Sequence, residues 1–352
     1  MFILFLPILI ASLTTLVAII LLRPFALSIN LVDKPSNRKF HTGSVPLTGG
    51  IAMFFGVVIS ILVVPHDLNQ INYFLLSSLI LIVIGVLDDH KDIPISLRFL
   101  FQALVGVIIV SVGGINITSF GSLFGNGEIL LNEWSYFISV FAIIAGINAV
   151  NMADGIHGLA GGNSLITFSA ILYLSVGTIS YQDLWITLLF CSVLPVFLIH
   201  NLCLGLPESK RIFMGDAGSM FVGMSIVWIL IDFSQGELKV FDPVIALWLF
   251  AIPLFDMVSV FIRRIASGIS PFKADVSHMH HLLIHSGMKE SNVLLTILVF
   301  SLIMSVIGIL GVQYEVTEWV MFSGFLTIFF IYMFAGKVLM RNIKYKVKPM
   351  GD

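Results

Sequence analysis

Eleven apolar runs, each about as long as a helix needs to cross a bilayer, constrain this chain more than any other feature. A helix rises about 1.5 Å per residue and the hydrocarbon core is about 30 Å thick, so roughly 17–25 apolar residues suffice. Such runs lie near 2–22, 46–64, 71–87, 97–113, 134–150, 163–180, 184–202, 217–232, 241–262, 292–312 and 318–339. Hydrocarbon offers a bare backbone no hydrogen-bond partner, and a helix satisfies its own. The predicted fold is therefore an all-α polytopic membrane protein of about eleven transmembrane helices, a single integral-membrane domain over 1–352. Composition excludes the alternatives. Charged residues make up only 11% and hydrophobic ones 58%, too little charge to coat a soluble surface and too much apolar content for disorder. A net charge of -2 provides no basic field, so no nucleic-acid partner is expected. Cys191 and Cys203 fit neither a disulfide framework nor a zinc site and read as helix-packing residues. No basic n-region precedes the first run and no small-residue cleavage site follows it, so it reads as a retained span.

Lysine and arginine mark the cytoplasmic side of such a protein. A periplasmic N-terminus and a cytoplasmic C-terminus place 23–45, 88–96, 151–162, 203–216, 263–291 and the tail after 340 inside. Those segments and the adjoining helix ends hold all of the 18 lysines and arginines except Lys239. On the outer side, 114–133 is glycine-rich with alternating residues and reads as a small hairpin.

The acids and histidines follow the same asymmetry. Ionisable groups near a membrane are costly, and where they converge they usually serve function. Inside lie Asp33, Lys34, Arg38, Lys39 and His41, then Asp88 and Asp89 at the end of the third run. Two adjacent carboxylates repel, and acids at a helix C-terminus oppose the macrodipole. A solvated helix end is one reading; a divalent cation or a phosphate-bearing partner with Mg²⁺ is the other. Asn148, Asn151 and Asp154 recur every three residues and share a helical face, followed by His157 among glycines that let a ligand approach the backbone. The plainer reading is a helix cap and a flexible loop. Phe213-Met-Gly-Asp216 opens the eighth run with Asp216 placed to cap the helix, or to serve a nucleotide or metal site. Arg263 and Arg264 precede His278-Met279-His280-His281, whose spacing suits a loop. That cluster is an interfacial patch, a zinc site, or a set of phosphate donors or a proton relay. With no cysteine in the cluster and many aspartates elsewhere, oxygen-liganded Mg²⁺ is favoured over zinc. Asp256 lies inside the ninth run and reads as pairing with a basic residue or another helix. The polar groups gather at one face instead of mid-membrane, which disfavours a transporter.

In this order, the motifs resemble the polyprenyl-phosphate N-acetylhexosamine-1-phosphate transferase family, in particular its bacterial WecA-type N-acetylglucosamine branch. They are Asp33-Lys34-Pro35, Arg38-Lys39-Phe40-His41, Pro46-Leu-Thr-Gly49-Gly50, Leu87-Asp88-Asp89, Asn148 to Gly162, Phe213-Met-Gly-Asp216, Ser270-Pro271-Phe272 and His278-Met-His280-His281. The muramyl-pentapeptide branch has three consecutive histidines where Met279 intervenes here. The resemblance implies transfer of N-acetylglucosamine-1-phosphate from UDP-N-acetylglucosamine to undecaprenyl phosphate with release of UMP, in the bacterial inner (cytoplasmic) membrane, as the first step of lipid-linked surface-polysaccharide synthesis. A sibling enzyme using another UDP-N-acetylhexosamine is the alternative, and a homodimer is possible in such a family. It implies Mg²⁺, or Mn²⁺, held by Asp216 with Asp89 and Asp154, and Asp88 contacting or deprotonating the lipid phosphate. It further places Asp33, Asn151, Asp154, His157 and Phe213 on the nucleotide side, with Phe213 as a stacking face for uracil. His278, His280, His281 and Lys34 would bind phosphate oxygens, and Arg263 or Arg264 the donor's sugar or pyrophosphate. One position departs from the family pattern: His157 stands where relatives usually carry a second aspartate.

Overall fold

A computed structural model describes residues 2–33, 43–63, 70–178, 184–235, 239–268, 270 and 277–346. Each of the eleven apolar runs contains helix within the described residues. In chain order the helices are α1 (Phe2–Ser28), α2 (Gly49–Val63), α3 (Ile71–Lys91), α4 (Ile95–Ser111), α5 (Ser135–Ala153), α6 (Leu159–Ser175), α7 (Trp185–Asn201), α8 (Gly215–Gln235), α9 (Pro243–Leu249), α10 (Ala251–Ala266), α11 (Met279–His285), α12 (Glu290–Gln313) and α13 (Glu318–Lys346). Two short strands, β1 (Val32–Asp33) and β2 (Val45–Pro46), pair antiparallel, with Val32 opposite Pro46 and Asp33 opposite Val45.

Length qualifies the count of eleven spans. Six helices (α1, α3, α5, α8, α12 and α13) are long and apolar enough to cross a membrane alone. The pair α9 and α10 makes a seventh if counted as one span bent by 85°. Helix α2 has 15 residues, and α4, α6 and α7 have 17 each, which rise only about 22–26 Å. The bend has a covalent cause. Pro253 lacks an N–H and its ring collides with the carbonyl four residues back, at Leu249, so no straight helix runs through both.

Helix α8 is the axis of the bundle. It packs against α2, α3, α5, α6 and α9, and all of it is buried except Asp216, Asp232 and Gln235. The outer helices turn Leu21, Phe141, Leu295 and Phe330 outward, each more than 60% exposed, an apolar mantle suited to lipid. Exposed Trp134, Tyr136, Tyr314 and Trp319 gather at the end of the bundle where α8 finishes, as aromatic side chains do at a membrane interface. The hairpin expected over 114–133 is present at that end. Phe120 N–H donates to Ile129 O (3.0 Å) and Leu131 N–H to Thr118 O (2.8 Å), while Gln235 Oε1 accepts the Thr118 and Ser119 N–H groups.

Candidate active site

The first turn of α8 is where the site is assembled, and glycine allows it. A Cβ on Gly50 would overlap Gly218 Cα, and one on Gly85 would overlap Ala217 Cα, so α2 and α3 meet α8 backbone to backbone. The chain entering α8 is also zipped to the start of α2. Phe213 N–H donates to Pro46 O (2.9 Å), Gly49 N–H to Phe213 O (2.9 Å) and Gly50 N–H to Met214 O (3.0 Å).

This close approach carries the end of α3 onto the start of α8. Asp89 Oδ1 accepts the Asp216 N–H at 2.8 Å and Oδ2 accepts that of Ala217 at 3.3 Å. The cap of α8 is therefore Asp89, reaching over from another helix. Asp216, expected to be the cap, lies inside the first turn, because α8 starts at Gly215 with φ +73°, a conformation natural to glycine. Freed from capping, the Asp216 carboxyl turns inward. Its Oδ1 accepts from Asn151 Nδ2 at 2.6 Å, and the same amide donates to Ser219 Oγ at 2.9 Å.

Asp88 has less freedom than a base requires. Its Oδ1 accepts the Ile93 N–H (3.1 Å) and its Oδ2 accepts from Arg98 Nη1 (2.9 Å), and its carboxyl stands within interaction range of Asp216. Asp88 is thus a charge partner of Arg98 rather than an open proton acceptor. Arg98 went unnoticed in the sequence because it sits one turn inside an apolar helix, ten residues from its partner.

Among the described residues, no three His, Cys, Asp or Glu side chains form a metal cage. Magnesium does not need one, since it is usually held by one or two carboxylates plus substrate phosphates and water. The facing carboxyls of Asp88 and Asp216, two like charges a divalent cation would relieve, fit that mode. Asp89, with both oxygens on backbone N–H groups, fixes the turn that carries Asp216.

The opposite wall comes from the loop after α5. The three-residue register splits there. Asn151 and Asp154 line the cleft, whereas Asn148 is buried between helices, donating to Gln102 Oε1 (2.7 Å) and Ile144 O (2.8 Å). Gly158, at φ +80°, donates its N–H to Asn201 Oδ1 at 2.6 Å, and Asn201 Nδ2 donates to Ile212 O at 2.8 Å. One amide thereby ties this loop to the chain entering α8. The His157 N–H donates to Glu290 Oε1 at 3.4 Å, and its ring lies 5.0 Å from that of Phe213, inclined by 31°. Phe213, expected to stack on a base, already has a ring neighbour, and the two form one aromatic wall.

Helix α11 closes the third side. His281 lines the cleft, and His280 and His278 stand behind it, with ring centroids 4.2 Å from His281 to His280 and 5.6 Å from His280 to His278. His280 is 2% exposed and pressed against Gly155, its Nε2 without a hydrogen-bond partner among the described residues. Burial pushes its imidazole down to about 3, so the ring is neutral. His278 is held by Asp256, Nδ1 to Oδ2 2.7 Å, so Asp256 pairs across helices as expected. Arg263 donates to Ser277 O (2.6 Å) and Arg264 is buried; neither lines the cleft.

The cleft measures about 470 Å³. Of the residues expected from sequence it gathers Asp33, Asp88, Asp89, Asn151, Asp154, His157, Phe213, Asp216 and His281, and it adds Asn201 and Glu290. Lys34, with Arg38, Lys39 and His41, lies outside the described residues. A larger cavity of about 640 Å³, lined by Lys239, Asp242 and Glu318 among others, opens at the opposite end and contains none of these groups.

A multi-helix membrane bundle with a carboxylate, amide and histidine cleft at one end defines a polytopic membrane transferase: the chain belongs to glycosyl transferase family 4, whose model matches residues 71–234. Its similarity is more particular than that, reaching well beyond those residues to proteins named undecaprenyl-phosphate alpha-N-acetylglucosaminyl 1-phosphate transferase. The one from Yersinia pestis is 37% identical over 326 residues, covering 92% of this chain and 88% of the relative. That of Escherichia coli K12 is 37% identical over 322 residues (90% and 86%), and that of Haemophilus influenzae 40% over 336 (94% and 93%).

Proposed function

We propose that this protein transfers N-acetylglucosamine-1-phosphate from UDP-N-acetylglucosamine to undecaprenyl phosphate, releasing UMP, as the step that initiates a lipid-linked surface polysaccharide. The observation that carries this reading is the convergence of Asp88, Asp216 and Asn151 opposite the Phe213–His157 wall, within a chain whose relatives bear that activity in their names. An oxygen of the lipid phosphate attacks the phosphorus attached to the sugar, and the bond to the UMP oxygen breaks. Such a transfer needs alignment and charge neutralisation more than covalent help. Mg²⁺ or Mn²⁺ supplies the largest neutralising charge when bound, with Asp216 and Asp88 as its protein ligands and Asp154 toward the nucleotide. Arg98 keeps the local charge of the acids in balance, His281 faces the phosphates, Asp33 lies on the nucleotide side, and the aromatic wall receives the uracil.

The charge asymmetry supports a cytoplasmic cleft and a periplasmic N-terminus in the inner membrane. Counting the four shorter apolar helices, which pack among the long ones, with the six long helices and the bent pair supports a reading of eleven spans. The deciding experiment incubates purified protein and undecaprenyl phosphate with a panel of UDP-sugars and measures UMP release. Release with UDP-N-acetylglucosamine is expected. Release only with another UDP-N-acetylhexosamine would replace this reading with that of a sibling transferase.

A further inference from the structure

Asp256 does not line the cleft, yet its buried carboxylate collects three hydrogen bonds from two other helices and their approaches. His278 Nδ1 lies 2.7 Å from Oδ2; the Met279 N–H donates to Oδ1 at 2.8 Å; and the Tyr332 hydroxyl donates to Oδ1 at 3.1 Å. A carboxylate can only accept, so the His278 proton on that side sits on Nδ1. In the neutral ring Nε2 then carries the lone pair. Among the described residues the Met279 contact is the side-chain cap at the start of α11, whose own N-terminal residue provides none. One carboxylate therefore governs both where α11 begins and which nitrogen of its first histidine is protonated.

We infer that Asp256 is a positioning residue for the transfer reaction: it holds His278 as the Nδ1–H tautomer, leaving Nε2 as the hydrogen-bond acceptor of a histidine cluster that reaches the cleft through His281. This rests on the proposed placement of that cluster in the site. The His278 ring is 5.6 Å from that of His280 and 6.3 Å from that of His281. Arg263 fixes the preceding residue by its bond to Ser277 O, and Tyr332 brings α13 onto the same carboxylate. The reading differs from one in which every histidine of the cluster acts as a phosphate donor, because a neutral Nδ1–H ring presents no donor at Nε2.

Two substitutions separate the tautomer from the scaffold. In Asp256→Asn the amide oxygen can keep Met279 and Tyr332, while the amide nitrogen faces Nδ1 and donates to it. The ring proton must then move to Nε2, and the stitching between helices survives. In His278→Asn the shorter amide still donates to Asp256, but Nε2 is gone. Both proteins are expected to unfold near the wild-type midpoint and to lose about 10–100-fold in kcat/KM, the scale seen when the partner that orients a metal-ligating histidine is lost. In ¹⁵N-histidine-labelled protein, the His278 signals should report a protonated Nδ1 in wild type and a protonated Nε2 in Asp256→Asn. Wild-type turnover by folded Asp256→Asn alongside an impaired His278→Asn would overturn the inference alone, as would a wild-type spectrum with the proton on Nε2. Wild-type turnover by His278→Asn would instead remove the cluster from the site, and the reading on which the inference rests would fall.

Discussion

Gly85→Ala is the sharpest test of how the cleft is assembled. A Cβ at Gly85 would overlap the Cα of Ala217, whereas carbon atoms settle at about 3.5–4 Å. The ends of α3 and α8 must therefore part by about 1 Å or more, and the neighbour is backbone, which cannot rotate away. The Asp89 bonds to the Asp216 and Ala217 N–H groups, at 2.8 and 3.3 Å, cross that junction and would stretch beyond hydrogen-bonding range. Overpacking of this kind destabilises by about 1–3 kcal/mol, and a displacement of about 1 Å in a reacting group costs about a hundredfold in rate. The assay pairs UMP release with thermal unfolding of the detergent-purified protein. Gly106→Ala is the control, since the nearest atom to its Cβ is a Val140 methyl at 3.1 Å, with Val140 backbone at an ordinary 3.5 Å, far from the cleft. The expected result is a hundredfold loss for Gly85→Ala and near-normal activity for Gly106→Ala. Full activity in Gly85→Ala with an unmoved midpoint would refute the backbone-to-backbone account.

Three further outcomes are expected. Asp216→Asn should lose about a hundredfold or more in rate, and EDTA should abolish wild-type turnover until Mg²⁺ or Mn²⁺ is restored; turnover that survives thorough chelation would remove the metal from the reaction. Phe213→Leu deletes one face of the aromatic wall and should raise the KM for UDP-N-acetylglucosamine roughly 5–160-fold, corresponding to about 1–3 kcal/mol of base stacking; an unchanged KM would place the uracil elsewhere. The folded His280 ring titrates near 3 against an ordinary 6.5, so the unfolded chain binds the extra proton. Its contribution to stability is whole above pH 6.5 and is lost as pH falls toward 3, by about 2 kcal/mol at pH 5. The unfolding midpoint of wild type should therefore drop more steeply between pH 7.5 and 5 than that of His280→Gln, and parallel profiles would show that His280 is not buried neutral.

Helices were legible in the sequence because an apolar run at membrane length has only one way to satisfy its backbone. The bend at Phe250 was legible in principle, since Pro253 announces it, but hydropathy is blind to a missing N–H. The acids at the cleft were legible as expensive residues in the wrong solvent. What they hold was not. That Asp89 caps α8 and frees Asp216 depends on Gly85 and Gly50 letting three backbones meet, a tertiary fact with no local signature. Asn148 shares the spacing of Asn151 and Asp154, yet it turns toward Gln102, because a helical face is wider than a cleft. Arg98, Asn201 and Glu290 escaped notice for the same reason: each stands alone in sequence and finds its partner 10, 43 and 133 residues away.

The residues that line the cleft run from Asn30 to Glu290. At about 5–20 residues per second, a ribosome needs roughly ten to fifty seconds to pass from the first to the last. For much of that interval the end of α3 is already made, while Asn151, Asp216 and the aromatic wall have yet to follow. Of the partners that Asp88 will have in the finished protein, Ile93 and Arg98 arrive within ten residues of it. The nascent chain is thus silent through most of its own synthesis, and Asp88 emerges close to its counter-charge.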